Sequence, residues 1–318
     1  TGAFTAADLS EAGVPGYRWR SPTLVRPLAE FESCEPHEDV VERARAFARA
    51  LPDDAAFSHV TAALLWGLPL RGSLQDDPVL HVMRESAFGW VRRTGCRGHR
   101  GLESREIGIV HGLRVVGLAD TWVDLGELPR GAIGVDDFVV VGDAVVARLA
   151  CADEGSQEWW AQIGAEEAGE PLGEREDARG IRLLRQALER RVRPRGARAL
   201  RQSLDLVREG SRSPQETRWR LIMQRAGLPE PRLNQLVFVD GGFVLEGDFV
   251  WPKDKVIGEY QGKDHASITR RSHDESRRAL AEEDGWTLIE VYAEDVRPGP
   301  RQDACLRRFA TALGRPTR

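Results

Sequence analysis

Three acids fall in one stretch of the chain, in an order that suits a divalent cation. Glu216 follows Ser213-Pro214-Gln215, Asp248 lies in Glu246-Gly247-Asp248, and Glu259 opens Glu259-Tyr260-Gln261. Clustered carboxylates repel one another unless a cation neutralises them. Hard oxygen donors with room for water suit Mg²⁺ or Mn²⁺. A site of that kind can produce a hydroxide nucleophile and stabilise charge on a phosphodiester. The expected cofactor is therefore Mg²⁺ or Mn²⁺, held between acids of this stretch.

The elements around these acids are readable. Ser213 is placed to cap a helix, Pro214 suits its first turn, and Glu216 completes a capping box. Trp219, Leu221, Ile222 and Ala226 follow at helical spacing, and Gly227 stops the helix. Asp240-Gly241-Gly242 between two apolar runs, 235–239 and 243–250, signals a hairpin. In its second arm Glu246 and Asp248 share a face, because side chains alternate along a strand. A third strand, 256–261, puts Glu259 and Gln261 on one face, with Lys263 joining them if the strand runs on past Gly262. A helix is expected over 269–284 and a fourth strand over 286–292.

Residues 211–295 resemble the restriction-endonuclease-like PD-(D/E)XK superfamily, in its branch similar to very-short-patch-repair endonucleases. The text that carries the likeness is SPQE, GDFVWP, IGEYQGKDH and HDESRRALAEEDGWTLIEV. The resemblance implies that Asp248 is the central metal ligand, Glu259 the second, and Glu216 the assisting helical acid. Gln261 stands where the superfamily usually has Lys. It would hold the attacking water without adding positive charge. His265 matches a histidine of that branch, either as acid, base or phosphate contact or as a hydrogen-bonded loop residue. Asp274 with Arg277 and Arg278 matches the polar face of the branch's second helix.

The 318 residues suggest two or three domains. Cys34, Cys96, Cys151 and Cys305 are scattered without a C-x-x-C pair, which argues against a zinc site and for free thiols. With no long apolar run and no basic-then-apolar opening, a cytoplasmic protein without membrane contact is expected. The net charge of −5 conceals segregation: 152–177 is acidic and 178–232 is rich in Arg. The arginines fit phosphate contact or, equally, a solvated helix face paired with the acidic segment. Candidates for nucleic-acid contact, DNA above all, are Arg190, Arg191, Lys263, Arg270, Arg271, Arg277 and Arg278.

Upstream, 1–54 reads as a helical region with a reduced helix-turn-helix, beginning with a short helix over 6–12. In 57–68 Ser58 caps a helix, and His59 in its first turn is taken as structural. Strands over 78–83, 95–100, 106–110 and 113–116 suggest a small antiparallel sheet. Helices follow over 119–125, with Asp120 and Asp124 on its surface, and over 135–149, with Asp143 inside an apolar run. Residues 55–150 resemble abortive-infection (AbiEi-like) type IV antitoxins through SHVTAALLWGLPL, HGLRVVGLADTWVDLGEL and VVVGDAVV. That likeness implies a region able to meet a protein partner.

The expected fold class is α/β (α+β). A reduced winged-helix and antitoxin-like region would precede, through an acidic connector (151–177) and a basic helical one (178–212), a restriction-endonuclease-like domain over 213–318 with a central mixed four-stranded sheet flanked by helices. The expected function is metal-dependent phosphodiester hydrolysis in bacterial defence or DNA repair. The alternative is a non-catalytic, antitoxin-like DNA-binding regulator that keeps an endonuclease fold.

Overall fold

The computed structural model describes residues 4–5, 25–28, 31–33, 39–151, 179–239, 242–261 and 278–315. The expected helix over 6–12, the acidic connector, and Lys263, His265, Arg270, Arg271, Asp274 and Arg277 lie outside the described residues. The protein is a mixed α/β chain that divides into two compact units. The first comprises Thr1–Val141 with Arg182–Asp205, and the second Gly142–Ile181 with Leu206–Arg318.

The first unit opens with short strands β1 (Phe4–Thr5), β2 (Val25–Leu28) and β3 (Phe31–Ser33), ordered β1-β3-β2. Helix α1 (Val40–Ala48) begins where the Asp39 side chain accepts the Val41 N–H, as an N-cap should. Then come β4 (Ala56–Phe57), α2 (His59–Leu65), α3 (Gly72–Gln75), β5 (Leu80–Arg84), β6 (Cys96–Arg100), β7 (Ile107–Val110), β8 (Leu113–Val116) and α4 (Leu118–Asp124).

The five strands from β4 to β8 form a sheet in the order β6-β5-β4-β8-β7. It is mixed, not antiparallel as the sequence suggested: β5 runs parallel to β6 and β4 parallel to β8. Long connections permit this, since a parallel pair needs a crossover and not a two-residue turn. The segment after β5 takes that course through Val91, whose carbonyl oxygen would lie 2.3 Å from a Cβ at Gly98. Phe47, Phe57, Leu65, Leu80, Val82 and Val115 fill the core against α1 and α2.

Helix α5 (Val135–Cys151) is apolar through its middle, with Val139, Val140, Val141, Val145 and Val146 buried. Asp143 is buried in that run. Its carboxylate accepts from the Thr217 hydroxyl at 2.7 Å, Arg220 Nη2 at 2.9 Å and the Arg208 N–H at 2.8 Å, all in the second unit. Burial pushes the Asp143 carboxyl up, against the pull of Arg220. Helices α6 (Arg179–Glu189) and α7 (Ala197–Leu204) follow.

The second unit carries α8 (Pro214–Arg225), β9 (Arg232–Val239), β10 (Gly242–Trp251), β11 (Val256–Gln261), β12 (Thr287–Tyr292) and α9 (Pro300–Ala312). Its sheet order is β12-β11-β10-β9. The first three strands in sequence are antiparallel, and β12 returns parallel to β11. Trp219, Met223, Phe249, Trp251, Val256, Ile289, Val291 and Phe309 make the core on one face. Gly258 is required there, because a Cβ would meet the Phe309 ring at 2.9 Å. Among the described residues no helix is long and apolar enough to cross a membrane.

Candidate functional site

The opposite face of the second unit's sheet carries the acids, and its composition changes in steps along the strands. Val250, Ile257 and Leu288 are in register across β10, β11 and β12, and pack with Ala281 and Trp286. One same-face step along comes a row of carboxylates. Glu259 pairs with Glu290 on β12, and Asp248 stands opposite Glu259, one position beyond the Phe249–Gly258 pair. Another step brings Glu246, Gln261 and Tyr292. The period-two pattern of the sequence produces this layering directly.

Asp248 is the most perturbed of these acids. Its Oδ2 accepts the Tyr260 N–H at 2.6 Å. Burial, followed by repulsion from Glu216, Glu259 and Glu246, pushes its carboxyl from the ordinary 3.8 up to about 7. Glu216 reaches this neighbourhood from the first turn of α8. Ser213 Oγ accepts the Glu216 N–H at 3.2 Å, as the capping pattern predicts. The return half of the box differs: Glu216 Oε2 accepts from the Arg212 N–H at 2.9 Å and from Asn234 Nδ2 at 2.8 Å.

The row has its own cation. Arg278 donates to Glu259 through Nη2 and to Glu290 through Nη1, the latter at 2.6 Å. Gln261 Nε2 lies 3.5 Å from Glu259 and 3.4 Å from Glu290. Arg212 pairs with Glu246 at 2.6 Å. Glu290 escaped the sequence reading, although its place in alternating Thr-Leu-Ile-Glu-Val-Tyr marks the exposed side of a strand. The donors are hard oxygens and fit Mg²⁺ in kind. Among the described residues, however, Glu216, Asp248 and Glu259 do not bring even one carboxylate oxygen each within 4.8 Å of one another.

Arg190 and Arg191, candidates for nucleic-acid contact, have other partners in the first unit. Arg191, with a side chain only 6% exposed, donates to Asp120 at 2.8 Å and Asp124 at 3.3 Å. Arg190 pairs with Asp120 at 3.1 Å and Glu106 at 3.3 Å. Asp120 and Asp124 are 1% and 0% exposed, which corrects the expectation that they sit on the helix surface. They are buried because Arg105, Arg190 and Arg191 converge on them, and a buried charge persists only when it is paired. The arginine run thus forms, in part, an internal ion-pair network.

Close to that network lies a cluster of three histidines, of which the sequence pointed only to His59, and to that as structural. His59, His81 and His99 bring three ring nitrogens within 4.8 Å of one another. His81 and His99 lie on one face of the parallel pair β5 and β6, where His81 pairs with Arg97 and His99 follows two residues later. His59 starts α2 with a positive φ of 48°. Ser58 occupies the N-cap position but makes no capping hydrogen bond, and its hydroxyl lies 3.0 Å from His59 Nδ1 instead. His99 Nε2 is 3.1 Å from His81 Nδ1, and the His59 and His99 rings stack at 3.6 Å.

Burial, then the neighbouring His59, pushes His81 down to about 3 and His99 to about 2. These two rings are neutral at any ordinary pH. Glu127 Oε2 approaches His59 Nε2 at 3.6 Å, and His59 and then Arg105 hold its carboxyl below the usual range. A cavity of about 460 Å³ borders the cluster.

No family model matches the chain, and no solved structure matches it. Two proteins of Mycobacterium tuberculosis do: Uncharacterized protein Rv2248 of strain ATCC 25618 / H37Rv and Uncharacterized protein MT2308 of strain CDC 1551 / Oshkosh. Each is 32% identical over 127 residues, 38% of this chain. The match spans about half the length of these relatives, 47% of each.

Proposed function

We propose that the second unit is a metal-dependent nuclease domain of the PD-(D/E)XK kind, following an antitoxin-like region over 55–150 and a reduced winged helix. The observation that supports this best is the crowding at Asp248. Its carboxylate faces Glu259 across an antiparallel pair and is repelled by Glu216, Glu259 and Glu246. A divalent cation relieves such crowding. Asp248 and Glu259 would hold Mg²⁺ or Mn²⁺, with Glu216 on the helical side. Bound there, the ion would supply charge neutralisation at a phosphodiester and activate a water.

The chain's own residues have definite parts in this reading. The Tyr260 N–H holds one oxygen of Asp248 in place. Gln261, beside Glu259, offers an amide that can orient a water but cannot protonate or repel it. Arg278 holds Glu259 and Glu290 together and would turn toward phosphate when a cation takes its place. The setting is bacterial defence or DNA repair.

A second reading has its own support. Arg278 already neutralises Glu259 and Glu290, as in a nuclease fold that only binds DNA or a protein partner. Cleavage of supercoiled plasmid, single-stranded DNA and RNA with Mg²⁺ or Mn²⁺, set beside Asp248→Ala and Glu259→Gln, separates the two. Cleavage by the wild type that both variants lose supports the nuclease. DNA retention in a gel without cleavage in any buffer supports the regulator. Equal cleavage by wild type and Asp248→Ala would refute the assignment of the site.

A further inference from the structure

The histidine cluster of the first unit is a second site, independent of the carboxylate row. Its nitrogens are placed as ligands are. The 3.1 Å between His99 Nε2 and His81 Nδ1 is close to the edge of a tetrahedron around zinc, roughly 3.3 Å for bonds of about 2.0–2.1 Å. His59 and His81 are 0% and 1% exposed, and the Nε2 of each is buried with no hydrogen-bond partner. A buried polar nitrogen without a hydrogen-bond partner is costly, so two in one cluster need an explanation. A packed core could have used apolar side chains at all three positions. The backbone at His59 is also held at φ 48°, a conformation a non-glycine residue adopts only when its surroundings impose it.

We propose that His59, His81 and His99 bind a divalent ion of the zinc class, with Glu127 beside His59 as the balancing charge. Three imidazoles are borderline donors, which favour zinc-like ions over Mg²⁺. A bond from His59 Nε2 to the ion would satisfy a buried nitrogen that the fold leaves without a hydrogen bond. Glu127 supplies the negative charge next to His59, and Arg105, at 3.2 Å, orients it from behind. An outer partner of this sort is what metal-bound residues usually have. Arg97, Arg130 and Arg195 line the same cavity, so a ligand reaching the ion from that side is an oxyanion of the phosphate or carboxylate kind.

The test uses the full chain, freed of metal with a chelator and titrated with Co²⁺ and Zn²⁺. Co²⁺ held by imidazoles in a tetrahedral site absorbs visible light strongly, which oxygen-bound Co²⁺ does not. Wild type is expected to bind one equivalent with that absorption, and Asp248→Asn to do the same. His81→Gln and His99→Gln should lose the band and bind at least tenfold more weakly. His99 is the least buried of the three, so His99→Gln serves if His81→Gln does not fold. Zn²⁺ should raise the melting temperature of wild type and leave that of His99→Gln unchanged. No visible band in wild type, an unchanged affinity in folded His99→Gln, or loss of the band in Asp248→Asn would each overturn the proposal.

Discussion

The carboxylate row and the histidine cluster handle unfavourable groups in opposite ways. On the row, like charges meet at a half-exposed sheet face, and arginines balance part of the charge: Arg278 on Glu259 and Glu290, Arg212 on Glu246. Among the described residues Asp248 accepts a backbone N–H but pairs with no arginine, and burial, with repulsion from the neighbouring acids, pushes it up to about 7. In the cluster the rings are largely buried, and two nitrogens have no hydrogen-bond partner, His59 Nε2 having only the Glu127 carboxylate at 3.6 Å. The row can change by moving charged side chains that water already reaches. The cluster can change only by taking in something that bonds to nitrogen. The first therefore suits a labile hard cation beside a polyanion, and the second a tightly held softer one.

The largest expected effect tests whether the two sites are separate. Asp248→Ala should lower phosphodiester cleavage at least a hundredfold, about 3 kcal/mol of transition-state stabilisation. His81→Gln, if folded, should leave the rate within about a factor of two, a few tenths of a kcal/mol. A nuclease assay on matched preparations decides this. If His81→Gln loses as much as Asp248→Ala, the division into two sites fails.

Next in size is the role of the arginines around Asp120 and Asp124. Arg191→Met removes one buried cation of the network while Arg105 and Arg190 remain. Breaking a buried pair outright costs about 3–5 kcal/mol, so a partial loss of about 2–3 kcal/mol is expected in urea unfolding. The salt dependence of DNA binding, if any, should stay as in wild type, because a side chain turned inward releases no counterions. A flattened salt slope with unchanged stability would return Arg191 to the nucleic-acid surface.

The third concerns Asp248 in metal-free protein. An acid whose folded-state pKa is raised favours the folded state at low pH. That contribution is complete below the ordinary 3.8 and is lost as pH climbs through about 7. Asp248→Asn has no charge to bury, so it should gain over wild type at pH 8 and not at pH 4. The ceiling is on the order of 4 kcal/mol, and with solvent reaching part of the carboxyl about 2 kcal/mol is expected. Thermal melts at the two pH values check it. Equal differences at both would mean that neither burial nor the neighbouring acids raise the Asp248 carboxyl.

The two regions also differ in how far the sequence discloses them. The row is local in pattern. Alternation puts Glu246 with Asp248 and Glu259 with Gln261 on shared faces, and the Asp240-Gly241-Gly242 turn makes the first two strands a hairpin. What was missing was the partner strand: Glu290 joins the row only because β12 returns parallel with Glu290 beside Glu259, and no local signal sets that register. The histidines are worse placed for reading. His59, His81 and His99 stand at the start of a helix and on two strands, and each looks like an ordinary core or turn histidine. They meet because β5 pairs parallel with β6, where a simple antiparallel sheet was expected. The burial of Asp120 and Asp124 was hidden for a like reason, since two of their arginines, Arg190 and Arg191, come from 67 to 71 residues along the chain. Local charge spacing predicts a surface, and only tertiary pairing reverses it.

The smallest effect probes the balance within the row. Arg278 competes with any cation for Glu259 and Glu290. Its side chain is 30% exposed, so the pair is partly screened, and losing it should matter modestly. Arg278→Gln keeps a hydrogen-bond donor and removes the charge. Affinity for Mn²⁺ should rise roughly threefold, about 0.6 kcal/mol, because the acids then repel one another with less relief. If the nuclease reading holds, cleavage at saturating Mn²⁺ should nevertheless fall, since Arg278 is the described cation placed to meet phosphate once displaced. Calorimetric titration with Mn²⁺ and cleavage at saturation measure the two halves separately. Tighter metal with unchanged or faster cleavage would make Arg278 a mere stand-in for the ion. Weaker metal would mean that it holds Glu259 in the position the ion needs.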